Sequence, residues 1–118
     1  MGAYQRYSIN IGSLKPDEIE DALKAIEKRI NRNIGIEKIV EKYQGGYAFH
    51  NRKDICESLP SVYIEPEKDS LFDLTVIHES NYPYGLYESL CCLKKELEDK
   101  YEDVHVQYVN LEESGEEL

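Results

Sequence analysis

Between Tyr4 and Ile11 the chain alternates, with Tyr7, Ile9 and Ile11 separated by Ser8 and Asn10. A period of two places one apolar row on one face, so residues 4–11 are predicted to form a half-buried strand. Gly12-Ser13 interrupts the run. The period then lengthens: Ile19, Ala22, Leu23, Ile26 and Ile30 recur at helical spacing. The flanks agree with a helix. Pro16 suits a first turn, Asp17, Glu18, Glu20 and Asp21 crowd the positive end of the helix dipole, and Lys28, Arg29 and Arg32 lie at the negative end. Asn33 or Gly35 is expected to cap this helix.

Residues 36–50 fit two templates. Ile36, Ile39, Val40 and Tyr43 follow i, i+3, i+4, i+7, a helical stripe that Gly45 would end. Gly45-Gly46 also separates two strand-compatible runs, Ile39–Gln44 and Tyr47–His50, as a two-residue hairpin turn does. The hairpin is the favoured reading, because a sheet needs strands here to cover the helices. Asp54–Leu59 reads as a helical turn before Pro60. Ser61–Glu65 and Leu71–His78 read as a further hairpin around Pro66-Glu67-Lys68-Asp69, with Phe72, Leu74 and Val76 alternating against Asp73 and Thr75. A second long helix is expected from about Pro83 to Tyr101, its stripe being Leu86, Leu90, Leu93, Leu97 and Tyr101. Val104–Leu111 reads as a closing strand.

The order is β-α-(β hairpins)-α-β. It predicts a single α+β domain over residues 1–111, with a mostly antiparallel sheet of about four to six strands and both helices on one face. A split β-α-β arrangement of the ferredoxin-like kind is the specific form this order suits. Residues 112–118 are expected to be an acidic tail with nothing to bury.

Composition narrows the classes. A chain of 118 residues with 41% hydrophobic side chains can bury a core without disulfide staples. It has 10 Tyr, 2 Phe and no Trp, so its aromatic interior carries hydroxyls that need partners. No apolar run is long enough to span a membrane, and the N-terminal residues show no apolar stretch of signal-peptide length, so an intracellular setting is expected. Arg6 stands where a myristoylation signal wants Ser or Thr. Cys56, Cys91 and Cys92 agree with reduced thiols in the cytoplasm, since adjacent cysteines on a helix point about 100° apart and cannot bridge without distortion.

Charge changes the picture most. Residues 1–59 carry 9 acidic and 10 basic side chains; residues 60–118 carry 15 and 4, a balance of −11. Solubility needs net charge but not its segregation. The first helix obeys the dipole rule, whereas the second gathers Glu96, Glu98, Asp99, Glu102 and Asp103 at or beyond its negative end. Lys94, Lys95 and Lys100 can offset this through i,i+4 pairs with Glu98, Asp99 and Glu96. Glu102 and Asp103 are then left unpaired, ahead of Glu112, Glu113, Glu116 and Glu117. Tyr82, Tyr84, Tyr87, Tyr101 and Tyr108 are interleaved with this acidity. Acid together with Tyr suits a Lys/Arg-rich protein surface, through ion pairs and cation–π contacts.

Other chemistries are poorly supplied. Gly46-Tyr47-Ala48-Phe49 resembles the centre of the RNP1 motif of RNA-recognition domains, whose aromatics stack on bases. The resemblance covers four of eight positions, with Gly45, His50 and Arg52 standing where basic, aliphatic and aromatic residues belong. An acidic chain also repels phosphate. His50, Cys56, His78, Cys91, Cys92 and His105 lack the paired spacing of metal sites. No catalytic signature and no cofactor motif stands out.

The expectation is therefore a non-enzymatic binding or inhibitor module that covers a basic, nucleic-acid-binding surface on a partner protein, as immunity proteins and nucleic-acid mimics do. Its partner-binding residues would be Glu98, Asp99, Glu102, Asp103, Glu112, Glu113, Tyr82, Tyr84 and Tyr101. It would bind no nucleic acid or membrane directly, and a homodimer is compatible with it. The alternative is a small oligomeric enzyme or ligand-binding domain with a Tyr/His-lined pocket between sheet and helices.

Overall fold

Backbone pairing organises the chain around its first strand. The computed structural model describes residues 2–37, 39, 49–51, 60–110 and 116–117. β1 spans Gly2–Leu14, longer than its apolar run, because two neighbours extend it by ladder hydrogen bonds. On one side β4 (Phe72–Pro83) pairs from Gly2↔Pro83 to Leu14↔Phe72, and on the other β5 (Asp103–Asn110) pairs from Gln5↔Asn110 to Gly12↔Asp103. Gly12-Ser13 is an interruption inside the strand: the register slips between Ile11 and Leu14, and Ser13 takes φ 57°. Its backbone N–H and hydroxyl are held by the Glu67 carboxylate at 3.2 and 3.3 Å.

α1 spans Pro16–Ile30. The Glu18 carboxylate reaches back to accept the Lys15 N–H at 2.9 Å, satisfying a donor the first turn leaves free. The helix stops earlier than expected, at Asn31 with φ 54°, since Asn tolerates the left-handed conformation that ends a helix. Asn33 instead accepts the Gly35 N–H at 2.8 Å in the following turn. Ile36, Glu37 and Ile39 are helical, and the Ile39 N–H bonds the Gly35 carbonyl at 3.2 Å. Where the favoured hairpin was to begin, the helical template holds instead: Ile39 is in the core. Of the second run of that hairpin, Phe49 and His50 are strand, as expected; residues 40–48 and the turn at 54–59 lie outside the described residues.

β2 (Phe49–Asn51) pairs with β3 (Ser61–Pro66), which pairs with β4 through the expected turn. β4 runs further than its alternation suggested because Glu79–Pro83 complete the ladder with Gly2–Arg6. The second helix is correspondingly displaced: α2 spans Leu86–Glu98, after Gly85 at φ 103°. β6 (Glu116–Glu117) pairs with Gln107 and Tyr108, so part of the acidic tail is an edge strand.

The sheet is antiparallel throughout, in the order β2-β3-β4-β1-β5-β6. β1 and β3 run parallel with β4 between them, and α1 lies in the connection that joins them. β4 and β5 run parallel with β1 between them, joined by α2. The inward rows Tyr7, Ile9 and Ile11, then Phe72, Leu74 and Val76, meet the buried stripes of both helices in one core. Both helices therefore cover the same face. The outward row of β1, with Tyr4 and Arg6 exposed, is left on the other face.

Candidate functional site

The pairing fixes which residues share an end of the molecule. Leu14 is opposite Phe72, Pro66 is opposite Phe72, and Gly12 is opposite Asp103. The start of α1, the β3–β4 turn and the start of β5 therefore converge. Asp17, Glu18 and Asp21 lie in the first turns of α1, Glu65, Glu67, Asp69 and Asp73 in or beside the turn, and Glu102 and Asp103 at the strand. Two observations show how close these groups come. Gly12 is packed under the Asp103 and Glu67 carboxylates, so that a methyl there would run into Asp103. The half-buried Tyr101 has its phenol held above its ordinary pKa first by burial and then by Asp21, Glu18 and Asp17.

The nominated carboxylates take separate places around this end. Glu98, in the last turn of α2, pairs with Lys94 at 3.1 Å as expected. Glu96 pairs instead with Arg29 of α1 at 3.0 Å; a cross-helix partner displaces the local one with Lys100. Asp103 was expected to be unpaired, but His105 Nε2 lies 2.8 Å from its Oδ1, because residues two apart on a strand share a face. Asp99 and Glu102 are exposed and have no ion pair among the described residues. Glu112 and Glu113 lie outside the described residues.

Of the three nominated tyrosines, only Tyr101 accompanies these acids. Tyr82 is 1% exposed and points inward from β4, so it offers no surface. Tyr84 is 79% exposed, but it precedes α2 whereas Glu98 ends it, at opposite ends of a helix about 20 Å long. For Tyr82 and Tyr84 the sequence interleaving with acid becomes a separation in space, whereas Tyr108 is paired with Glu116 on the edge strand.

At the Tyr84 end the structure assembles a second constellation, beneath the helices. The Tyr82 hydroxyl is hydrogen-bonded to His78 Nδ1 and lies 3.4 Å from the Tyr7 hydroxyl. The three rings meet edge-on. Arg32 closes over the Tyr82 ring, its guanidinium carbon 4.2 Å from the centroid, and donates to Ser80 Oγ at 3.1 Å and the Asn81 carbonyl at 2.9 Å. Gln5 donates to the Tyr82 carbonyl at 3.2 Å and accepts from the Tyr108 hydroxyl at 2.6 Å. Burial pushes the Tyr7 and Tyr82 hydroxyls above their usual range. Burial, and secondarily the Arg32 charge, lowers His78 to about 4. Sequence alone pointed to Tyr82 and Tyr108 as interface tyrosines, His78 as an imidazole ligand, Tyr7 as an inward strand position and Arg32 as a charge at the end of α1, none of them for this role. Tyr7, Gln5 and Tyr108 join through strand register and Arg32 through the turn after α1, which no local pattern encodes.

Among the described residues, no group of three His, Cys, Asp or Glu side chains is arranged to hold a metal ion, and no helix is long and apolar enough to cross a membrane. Of the RNP1-like segment, only Phe49 is described, at the start of the edge strand β2. No protein-family model, curated protein or solved structure matches the chain.

Proposed function

We propose that the protein is a non-enzymatic acidic binding module that covers a basic, nucleic-acid-binding surface on a partner protein, in the manner of an immunity protein or nucleic-acid mimic. One observation carries this reading. Carboxylates from both halves of the chain converge on one end, and Asp99 and Glu102, which have no ion pair among the described residues, lie at or beside it. Sequence segregation alone put the acidity in the second half; folding adds Asp17, Glu18 and Asp21 to it. Such a field steers a cationic partner and repels nucleic acid itself. The working surface is then Glu98, Asp99, Glu102 and Asp103 with Tyr101, and the sequence alone nominates Glu112 and Glu113 beside them. Tyr84 contributes only if the partner reaches the far end of α2.

The two parallel-strand crossovers, each with an antiparallel strand inserted, support a ferredoxin-like assignment for the four long strands. Free Cys91 and Cys92 agree with a cytoplasmic setting. The test is capture of partners from the native source, with Glu102→Lys/Asp103→Lys as the control, followed by stopped-flow association. The on-rate should fall steeply with ionic strength, while dissociation changes much less. A salt-independent on-rate, or direct nucleic-acid binding at moderate salt, overturns the reading.

The buried Tyr7–His78–Tyr82 group favours a second reading, an oligomeric ligand-binding or enzymatic domain with its site between sheet and helices. That reading requires a small molecule that shifts the resonances of these three rings. The first requires none.

A further inference from the structure

His78 occupies a place where an apolar residue would be ordinary. The inward row of β4 runs Phe72, Leu74, Val76, His78, and the first three are core hydrophobics. His78 is 5% exposed, yet its Nε2 is the one buried side-chain nitrogen or oxygen without a hydrogen-bond partner among the described residues. Its tautomer does not alter this. If Tyr82 donates to Nδ1, Nε2 carries an orphan N–H; if Nδ1–H donates to Tyr82, Nε2 carries an orphan lone pair. A buried polar atom left unpaired calls for a reason beyond packing.

The surroundings tolerate the neutral ring and reject the charged one. From β1 the imidazole faces Tyr7, along β4 it faces Tyr82, and from the segment after α1 it feels the Arg32 guanidinium. Gln5 and Tyr108 satisfy each other nearby. The side chains that α1, α2 and β3 bury are apolar, as is Val106 of β5. Among the described residues no carboxylate acts on this ring: Glu79, the next residue of β4, is paired with Arg6 on the outer face, and Glu27 accepts the Ile34 N–H at 3.0 Å. A proton on His78 would therefore find no counter-charge, would put Nε2–H⁺ in an apolar interior, and would oppose Arg32.

We propose that His78 is an acid-operated latch, which seals the interior between β1, β4 and the segment after α1 while neutral and opens that packing on taking up one proton. The sign follows from its depressed value. A histidine at about 4 in the folded chain and about 6.5 in the unfolded one leaves the folded state fully favoured above pH 6.5. Below that the unfolded chain binds the extra proton, so stability falls as pH drops from about 6.5 toward 4.

The experiment uses the full chain with carbon-13-labelled histidine, titrated by NMR from pH 7.5 to 4, and urea unfolding at pH 7, 6 and 5. His78→Asn assigns the signal and serves as the comparison, since Asn Oδ1 can replace Nδ1 as acceptor for Tyr82 but cannot titrate. The folded His78 ring should stay neutral at pH 6 and take up its proton only as the Tyr7 and Tyr82 ring signals change. The unfolding constant of the native protein should rise by up to tenfold per pH unit below 6.5, the limit for one proton. His78→Asn should show a correspondingly flatter dependence. Equal pH dependence in the two proteins overturns the proposal. So does a His78 ring that titrates near 6.5 with both tyrosines undisturbed, a result that stands on the native protein even where His78→Asn fails to fold.

Discussion

Tyr82 and Tyr84 show what single residues do here. Two positions apart and nominated together, they have opposite fates, because alternation along β4 turns Tyr82 inward while Tyr84 lies in the turn beyond the strand. Tyr82→Phe removes the hydroxyl that links His78 to Tyr7 and leaves the imidazole without a partner at either nitrogen. We expect it to cost about 1–3 kcal/mol. Tyr84→Ala should stay within about 0.5 kcal/mol. Urea unfolding of the two variants checks this, and equal losses would mean that the Tyr82 hydroxyl contributes nothing. Leu90 and Leu93, both fully buried, should each cost roughly 2–5 kcal/mol on change to Ala, since the sheet beneath them cannot collapse into the space. An unchanged melting temperature in both would show that this face of α2 is not the buried one.

At the level of elements, the two helices end differently, and each end makes a prediction. α1 ends on Asn31 in the left-handed region. Asn31→Ala should cost about 1–2 kcal/mol, whereas Asn31→Gly should be close to neutral; calorimetry of the pair separates a backbone effect from a side-chain one. α2 ends in exposed acids whose pairs are surface pairs, Lys94–Glu98 and His105–Asp103. Changing Glu98, Asp99, Glu102 and Asp103 together to Lys should preserve the fold, because exposed pairs contribute little. Circular dichroism of the quadruple variant tests that, and unfolding would show these acids to be structural. Helix stripes and their polar ends were legible because both repeat within one or two turns. The displaced start of α2 was not, since Glu79–Pro83 belong to a ladder with Gly2–Arg6, more than 70 positions away, and Tyr84-Gly85 to the turn that follows it.

Among the described residues, the crowded carboxylates and the Tyr7–His78–Tyr82 group lie toward opposite ends of β1. Gly12↔Asp103 and Gly2↔Pro83 mark levels ten strand residues apart, about 33 Å. Crowded carboxylates at one end of a chain of net charge −10 should repel one another, so stability should rise with salt as the Debye length shrinks from about 30 Å at 0.01 M to about 3 Å at 1 M. Melting temperatures over that range check it, and a fall with salt would mean that attractive pairs dominate the surface. Salt should do little for His78, whose penalty is mainly desolvation rather than long-range charge. By itself the sequence determined the α+β class, both apolar helical stripes, the alternating rows of the sheet and the excess of acid in its second half. Each of these is a short-range pattern or a sum. Only the tertiary structure decided which acids meet, that Tyr82 is interior, and that Tyr7, His78 and Arg32 form one group. Those are questions of register between strands and crossovers distant in sequence, where a shift of one residue would turn every side chain to the other face.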